Sequence, residues 1–208
     1  MAEVPHDLDA TEVERLTSGG VTHLLVDHRL RQQVSTSELA IFPGAFNPLH
    51  TAHRQIAALA EERLKRRVAF EISVENVDKA TLTAAEIQRR VRQFAATDIV
   101  CLTLASIFTE KARLFEDACF LVGADTIKRI ADARYYDDQP DRRDQAIADI
   151  AECGCSFLVF GRLLDGTFRT LDELDLPKPL REICDGLGEE AFRMDVSSTE
   201  RRESNPSR

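Results

Sequence analysis

At 208 residues, 43% hydrophobic and 30% charged, the chain is long enough to bury one substantial core, and its length fits a single decorated domain better than two full ones. A formal net charge of −9 argues against a general nucleic-acid binder, whose affinity comes largely from Lys and Arg neutralising phosphates; any phosphate site must be locally basic. No run approaches the roughly 18 apolar residues that span a bilayer, and the acidic start (Glu3, Asp7, Asp9) lacks the pattern of a signal peptide, so a soluble cytoplasmic protein with no membrane partner is expected.

Residues 1–36 read as an N-terminal flank of uncertain structure: an acidic amphipathic start over 10–16, a Ser18-Gly19-Gly20 break, and a segment over 21–34 compatible with a helix or a short hairpin. From residue 37 the pattern becomes regular. Apolar, β-branched-rich runs at 39–43, 68–74, 99–104, 119–122, 156–160 and 192–196 alternate with segments of helical spacing. This predicts an α/β domain over 37–203, a Rossmann-like doubly wound parallel sheet with helices on both faces and ligands over the carboxyl ends of the strands. Residues 204–208 read as a frayed tail.

The first run ends in Gly44-Ala45-Phe46-Asn47-Pro48-Leu49-His50-Thr51-Ala52-His53 and opens into a predicted helix over 54–66. A glycine in such a turn lets backbone approach a phosphate, Pro48 stiffens it, and a helix N-terminus presents N–H groups and positive potential. His50 and His53, three apart, are neighbours able to donate to one anion. Two other readings stay open: half of a metal site, although zinc needs more ligands than this pair supplies and no cysteine lies near in sequence, or an ordinary strand-to-helix corner. Further along, Thr83-x-x-Glu86 fits a capping box ahead of the apolar face Ile87, Val91 and Phe94. The opposite face carries Arg89, Arg92 and Gln93, with Arg90 assigned to solvent, and a charged helix face is usually only that.

Asp125 follows the 119–122 run, where an acid either serves a site or caps a predicted helix over 126–133. After the last run, Val196-Ser197-Ser198-Thr199-Glu200-Arg201-Arg202 reads as a capped helix start whose hydroxyls, N–H groups and Arg202 can grip terminal phosphates. Cys101, Cys119, Cys153, Cys155 and Cys184 read as free thiols, and Cys153-x-Cys155 is shorter than metal or redox spacing.

The histidine segment resembles the HxGH-type element of the nucleotidylyltransferase superfamily, in the form closest to nicotinamide or nicotinate mononucleotide adenylyltransferases. Ala52 stands where that family usually has Gly. The C-terminal segment is similar to the I-S-S-T-x-I-R element that the superfamily uses for the ATP β and γ phosphates, with Arg201 in place of an aliphatic residue. The resemblance implies nucleotide contacts from Gly44, Ala45, Phe46, Asn47, Ser197, Ser198, Thr199 and the strand-end Arg162, and catalytic roles for His50, His53, Lys79 and Arg202. Gly123-Ala124-Asp125 resembles the family element whose Asp contacts a ribose or neighbouring groups. The bacterial members often stack a Trp on the pyridine ring; this chain has none, and Tyr135 and Tyr136 stand at about that place, either as stacking or as packing residues. Arg89 completes the acceptor-side candidates.

What the resemblance implies is transfer of AMP from ATP to nicotinate or nicotinamide mononucleotide with release of pyrophosphate. Mg²⁺ would be bound through the ATP phosphates, with no protein metal site, and the partners would be ATP and a phosphorylated small-molecule acceptor. Two alternatives are retained: adenylyl or cytidylyl transfer to another phosphorylated metabolite, and a non-catalytic nucleotide-binding module of the same fold.

Overall fold

The computed structural model describes residues 8–26, 38–75, 80–164 and 166–187. The expected strand over 192–196 and tail 204–208 lie outside them, as do Lys79, Ser197, Ser198, Thr199 and Arg202.

The sheet is built from the apolar runs. β2 (Leu39–Pro43), β3 (Arg67–Ser73), β4 (Ile99–Thr103), β5 (Cys119–Gly123), β6 (Ser156–Phe160) and β9 (Cys184–Leu187) are parallel in the order β4-β3-β2-β5-β6-β9. The order reverses at β2, from which the chain winds outward first through β3 and β4 and then through β5, β6 and β9. Such a reversal leaves a crevice at the carboxyl ends of β2 and β5. β4 and β5 are buried along their whole length, as runs rather than alternations, because both faces are covered.

One face packs on α1 (Ala10–Thr17), α2 (Thr51–Leu64) and α3 (Ala84–Val91), through Leu16, Ile56, Ala60, Ile87 and Val91. The other packs on α4 (Phe108–Leu114), α5 (Ala124–Ala131), α6 (Pro140–Glu152) and α7 (Lys178–Glu182), through Ala112, Ile127, Ile150 and Leu180. The expected doubly wound fold is therefore present.

Three pieces depart from the sequence reading. β1 (His23–Leu25), in a stretch compatible with helix or hairpin, runs antiparallel to β4 at the sheet edge. With α1 burying Val13 and Leu16, it ties part of the N-terminal flank into the main core. A hairpin of β7 (Arg162–Leu164) and β8 (Thr167–Arg169) follows β6, and β9 fills the far edge. All are short, and strands of this length give too few alternations to read. The predicted helix over 54–66 begins earlier, at Thr51, and that over 126–133 at Ala124. Cys101, Cys119 and Cys155 are buried thiols and Cys153 and Cys184 partly so, all free as expected.

Because Leu16 is fully buried in the shared core, Leu16→Ala is expected to destabilise the protein by about 2–5 kcal/mol. Urea denaturation checks this: a lower midpoint with an unchanged slope is expected, and a midpoint unchanged within error would detach the flank from the core.

Candidate active site

The β2–α2 loop is fixed from below by aromatic packing. A Cβ on Gly44 would lie 2.7 Å from the Phe46 ring, so this glycine's missing side chain makes room for Phe46. That is a packing reason, where the sequence suggested close approach to a phosphate. Phe46 adopts φ +42°, a left-handed conformation uncommon for a bulky residue, and is 1% exposed. Its ring meets Phe42, His53, Phe70 and Phe94 edge-on with centroids 5.0–5.6 Å away. The Asn47–Pro48 peptide is cis.

From the side, α3 and the turn after it clamp the same loop. Arg90 donates to the Ala45 carbonyl at 3.0 Å, Gln93 to the Phe46 carbonyl at 2.9 Å, and Arg89 to Asn47 Oδ1 at 2.7 Å, while Leu49 N–H donates to Gln93 Oε1 at 2.9 Å. Glu86 holds both arginines, and the Arg89 hydrogen bond, followed by that of Arg90, keeps its carboxyl down at about 2. Thr83 caps this helix through the Glu86 N–H as predicted. Arg90, however, is not a solvated residue: its side chain is only 11% exposed, against 53% for Arg89, and it lines the cleft. An arginine's position along a helix does not show that its partner is a loop carbonyl some forty-five residues earlier.

The loop leads into the histidine pair. His50 is the N-cap of α2 and His53 its third residue; the rings stack with centroids 3.7 Å apart, both buried. His53 Nδ1 accepts the His50 backbone N–H at 3.3 Å. Burial, then the neighbouring His50 and Arg162, push the His53 pKa down to about 3. The ring is therefore neutral at physiological pH with its proton on Nε2, a fixed uncharged donor. Ala52, in the position of the usual glycine, is buried against the core.

Two adjoining cavities open over the strand ends. The smaller, of about 160 Å³, is lined by Gly44, Ala45, Phe46, His53, Gly123 and Arg162, among others. The larger, of about 460 Å³, is lined by Ala45, Asn47, Glu71, Arg90, Lys111 and Arg129, among others. Pro43, Gly44, Ala45, Phe108 and Thr126 belong to both walls. At the opposite end of the sheet lies a groove of about 490 Å³ whose lining includes Glu116, Asp117, Asp149 and Glu152, a poor environment for a polyphosphate.

Arg162 lies 5.2 Å over the Phe160 ring and 3.7 Å from Asp125 Oδ1. A Cβ on Gly123 would strike both Asp125 and Arg162. Asp125 is in the first turn of α5 without capping it; Gly123 holds the N-cap position. Asp125 Oδ1 is buried and has no hydrogen-bond donor among the described residues. Tyr135 is 58% exposed and the Tyr136 hydroxyl donates to the Ile130 carbonyl at 3.3 Å, in a 3-10 turn outside both cavity walls. The aromatic ring common to both walls is Phe108, which the sequence reading did not single out. Glu71, Lys111, Thr126 and Arg129 were missed as well: Glu71 sits inside an apolar strand run and the other three on helices, where a polar or charged residue is usually only solvated.

Among the described residues no group of three or more His, Cys, Asp or Glu side chains converges as a metal site, and no helix is long and apolar enough to cross a membrane.

Against known proteins, the model of the cytidylyltransferase-like family matches residues 41–204, most of the chain. The chain is also 27% identical over 150 residues to a Schizosaccharomyces pombe protein named "Putative nicotinamide mononucleotide adenylyltransferase". That alignment covers 66% of this chain and 58% of the relative, so the chain spans less than two thirds of that protein's length.

The depressed His53 pKa carries a stability signature. Between the ordinary value of 6.5 and about 3 the unfolded chain binds a proton that the folded chain does not, so stability falls as pH falls through that window. His53→Gln should remove roughly 1.4 kcal/mol per pH unit from the slope there. Denaturation midpoints of both proteins at pH 4.5–6 test it; identical slopes would mean that His53 titrates normally in the fold.

Proposed function

The chain belongs to the cytidylyltransferase-like family, and we propose that its cleft transfers AMP from ATP to nicotinate or nicotinamide mononucleotide, releasing pyrophosphate. Nucleotidyl transfer is the chemistry of the family; the adenylyl donor and pyridine acceptor are this reading's own step, supported by the similarity to the fission-yeast protein. The observation that carries it is the neutral, buried His53 in a cavity shared with the 44–46 loop and Arg162, at the reversal point of the sheet.

The reaction needs no protein nucleophile. The mononucleotide phosphate attacks the α-phosphorus of ATP, the bond to the β-phosphate oxygen breaks, and pyrophosphate leaves with the electron pair. The protein's work is alignment and stabilisation of charge on phosphoryl oxygens. His53 Nε2–H would donate to the triphosphate without changing protonation state, and His50 would donate beside it from the start of α2, whose positive end adds to the field. Arg162 would supply positive charge from the β6 end. Lys79, Ser197, Ser198, Thr199 and Arg202 keep their expected phosphate roles as part of this proposal. Asn47 and Arg89, bonded to each other, would hold the loop edge that the acceptor meets, with Asp125 on the far side.

The donors around the smaller cavity suit phosphate oxygens rather than a metal. Mg²⁺ would therefore arrive on the triphosphate and contribute charge neutralisation there. On this reading the protein would work in a soluble compartment of the cell on small-molecule substrates, with no nucleic-acid partner.

Purified protein incubated with ATP or CTP, Mg²⁺ and a panel of phosphorylated acceptors, with product masses identified, tests the assignment. A dinucleotide formed from ATP and a pyridine mononucleotide is the expected product; a product only with CTP or another acceptor would replace the reading. His53→Ala is expected to lower kcat at least about tenfold with the circular dichroism retained, as for loss of one preorganised donor. Near-normal turnover would remove His53 from the chemistry.

A further inference from the structure

The floor of the larger cavity holds a buried ion pair that phosphoryl transfer leaves without a task. Glu71, on β3, is 1% exposed and Lys111, on α4, is 5% exposed. Glu71 Oε1 accepts from Lys111 Nζ at 2.7 Å and from the Thr103 hydroxyl. Lys111 gives a second N–H to the Ala105 carbonyl at 2.8 Å. Glu71 Oε2 is buried without a donor, and an ammonium has a third N–H to give; neither is matched among the described residues. Both side chains belong to the wall of the cavity, alongside Phe108 and Thr126.

An unmatched acceptor beside an unmatched donor, on a pair whose charges cancel, is a specific request. A lone anion would satisfy the lysine but bring a second negative charge against Glu71 at low dielectric, where like charges disfavour each other strongly. A lone cation would do the reverse to Lys111. A primary carboxamide presents one N–H donor and one carbonyl acceptor, carries no charge, and meets both demands. A pair serving only structure is costly to leave with unmade hydrogen bonds, because removing charges from water is repaid only when their remaining bonds are made.

We infer that Glu71 and Lys111 are specificity-determining residues that recognise a primary carboxamide on the acceptor, its N–H₂ on Glu71 Oε2 and its carbonyl on Lys111 Nζ, with Phe108 beside the attached ring. The inference rests on the pyridine mononucleotide reading above and selects the amide over the acid. Glu71 and Lys111 touch no reacting atom; they set which acceptor is held.

Calorimetric binding of nicotinamide mononucleotide and nicotinate mononucleotide to the full chain, without ATP, reads the selection apart from turnover. The amide is expected to bind at least about tenfold more tightly, as when a buried polar group distinguishes a matched from a mismatched ligand. Glu71→Gln, which places an amide opposite the ligand, is expected to collapse or invert that ratio. A purely structural pair predicts instead that both affinities fall together with the ratio unchanged, and that result overturns the inference. If the variant does not fold, the native protein decides: equal affinities, acid preference or binding of neither ligand also overturns it. Selective amide binding without turnover of either nucleotide would reject the proposed reaction and keep the carboxamide site, whereas turnover of both with equal affinities would keep the reaction and reject the site.

Discussion

The ring of Phe46, seated in the space that a side chain on residue 44 would take, is the contact on which the cleft depends. Its left-handed backbone costs about 1–3 kcal/mol. Burying the ring offsets that by about 1.5–3 kcal/mol, and each of its edge-on contacts with Phe42, Phe70 and Phe94 adds about 0.5–1.5 kcal/mol. Packing therefore outweighs strain, and the loop is held in a conformation that a solvated chain would seldom visit. The same ring lies 5.0 Å from His53, so the aromatic cluster that fixes the loop also supplies the desolvation that keeps His53 neutral.

Positioning then spreads outward through polar contacts. The clamp from α3 reaches the loop at Ala45, Phe46, Asn47 and Leu49, with Glu86 tying two of its arginines together. Hydrogen bonds to backbone carbonyls from charged or amide side chains are directional, which packing alone is not. The cluster sets the depth of the loop and the clamp sets its lateral place. Both arise on one face of the sheet, while Glu71, Lys111 and Phe108 belong to the opposite one, so the cleft is a junction between the two cores.

Much of this was legible in the amino acids. Five apolar runs fall on five parallel strands, because a strand buried on both faces writes its length into the sequence as unbroken hydrophobicity. The histidines and the loop could be named from local pattern and Arg162 from the resemblance, and the fold gathers His53, Gly44–Phe46 and Arg162 around one cavity. What stayed hidden depends on distance in sequence. Arg90 and Arg89 are adjacent and chemically alike, and only the fold shows that the former turns inward. Glu71 and Lys111 are forty residues apart, each unremarkable alone. Tyr135 and Tyr136 stood at a suitable spacing after Asp125, but a 3-10 turn carries them away from both cavity walls. Edge strands of three or four residues left no periodicity to detect.

The charge of the chain makes the division of labour in the cleft intelligible. A protein at −9 repels polyphosphates at long range, so attraction has to be local and built from groups whose charge the acidic surroundings cannot switch. Arginine meets that condition because it stays protonated. A histidine meets it in the opposite way, by burial deep enough to remain neutral and donate one N–H at a fixed angle. The two cavities share the wall formed by Pro43, Gly44, Ala45, Phe108 and Thr126, which makes the 44–45 backbone the boundary across which two ligands would meet. On the smaller side the wall is completed by His53 and Arg162, suited to phosphate oxygens; on the larger side Glu71 and Lys111 form a charge-balanced pair, suited to an uncharged polar group, with Arg90 and Arg129 also in the wall. On the proposed reading, an asymmetric cleft of this kind would orient two different substrates by the chemistry of its ends, and would leave the centre to alignment rather than to a reactive side chain.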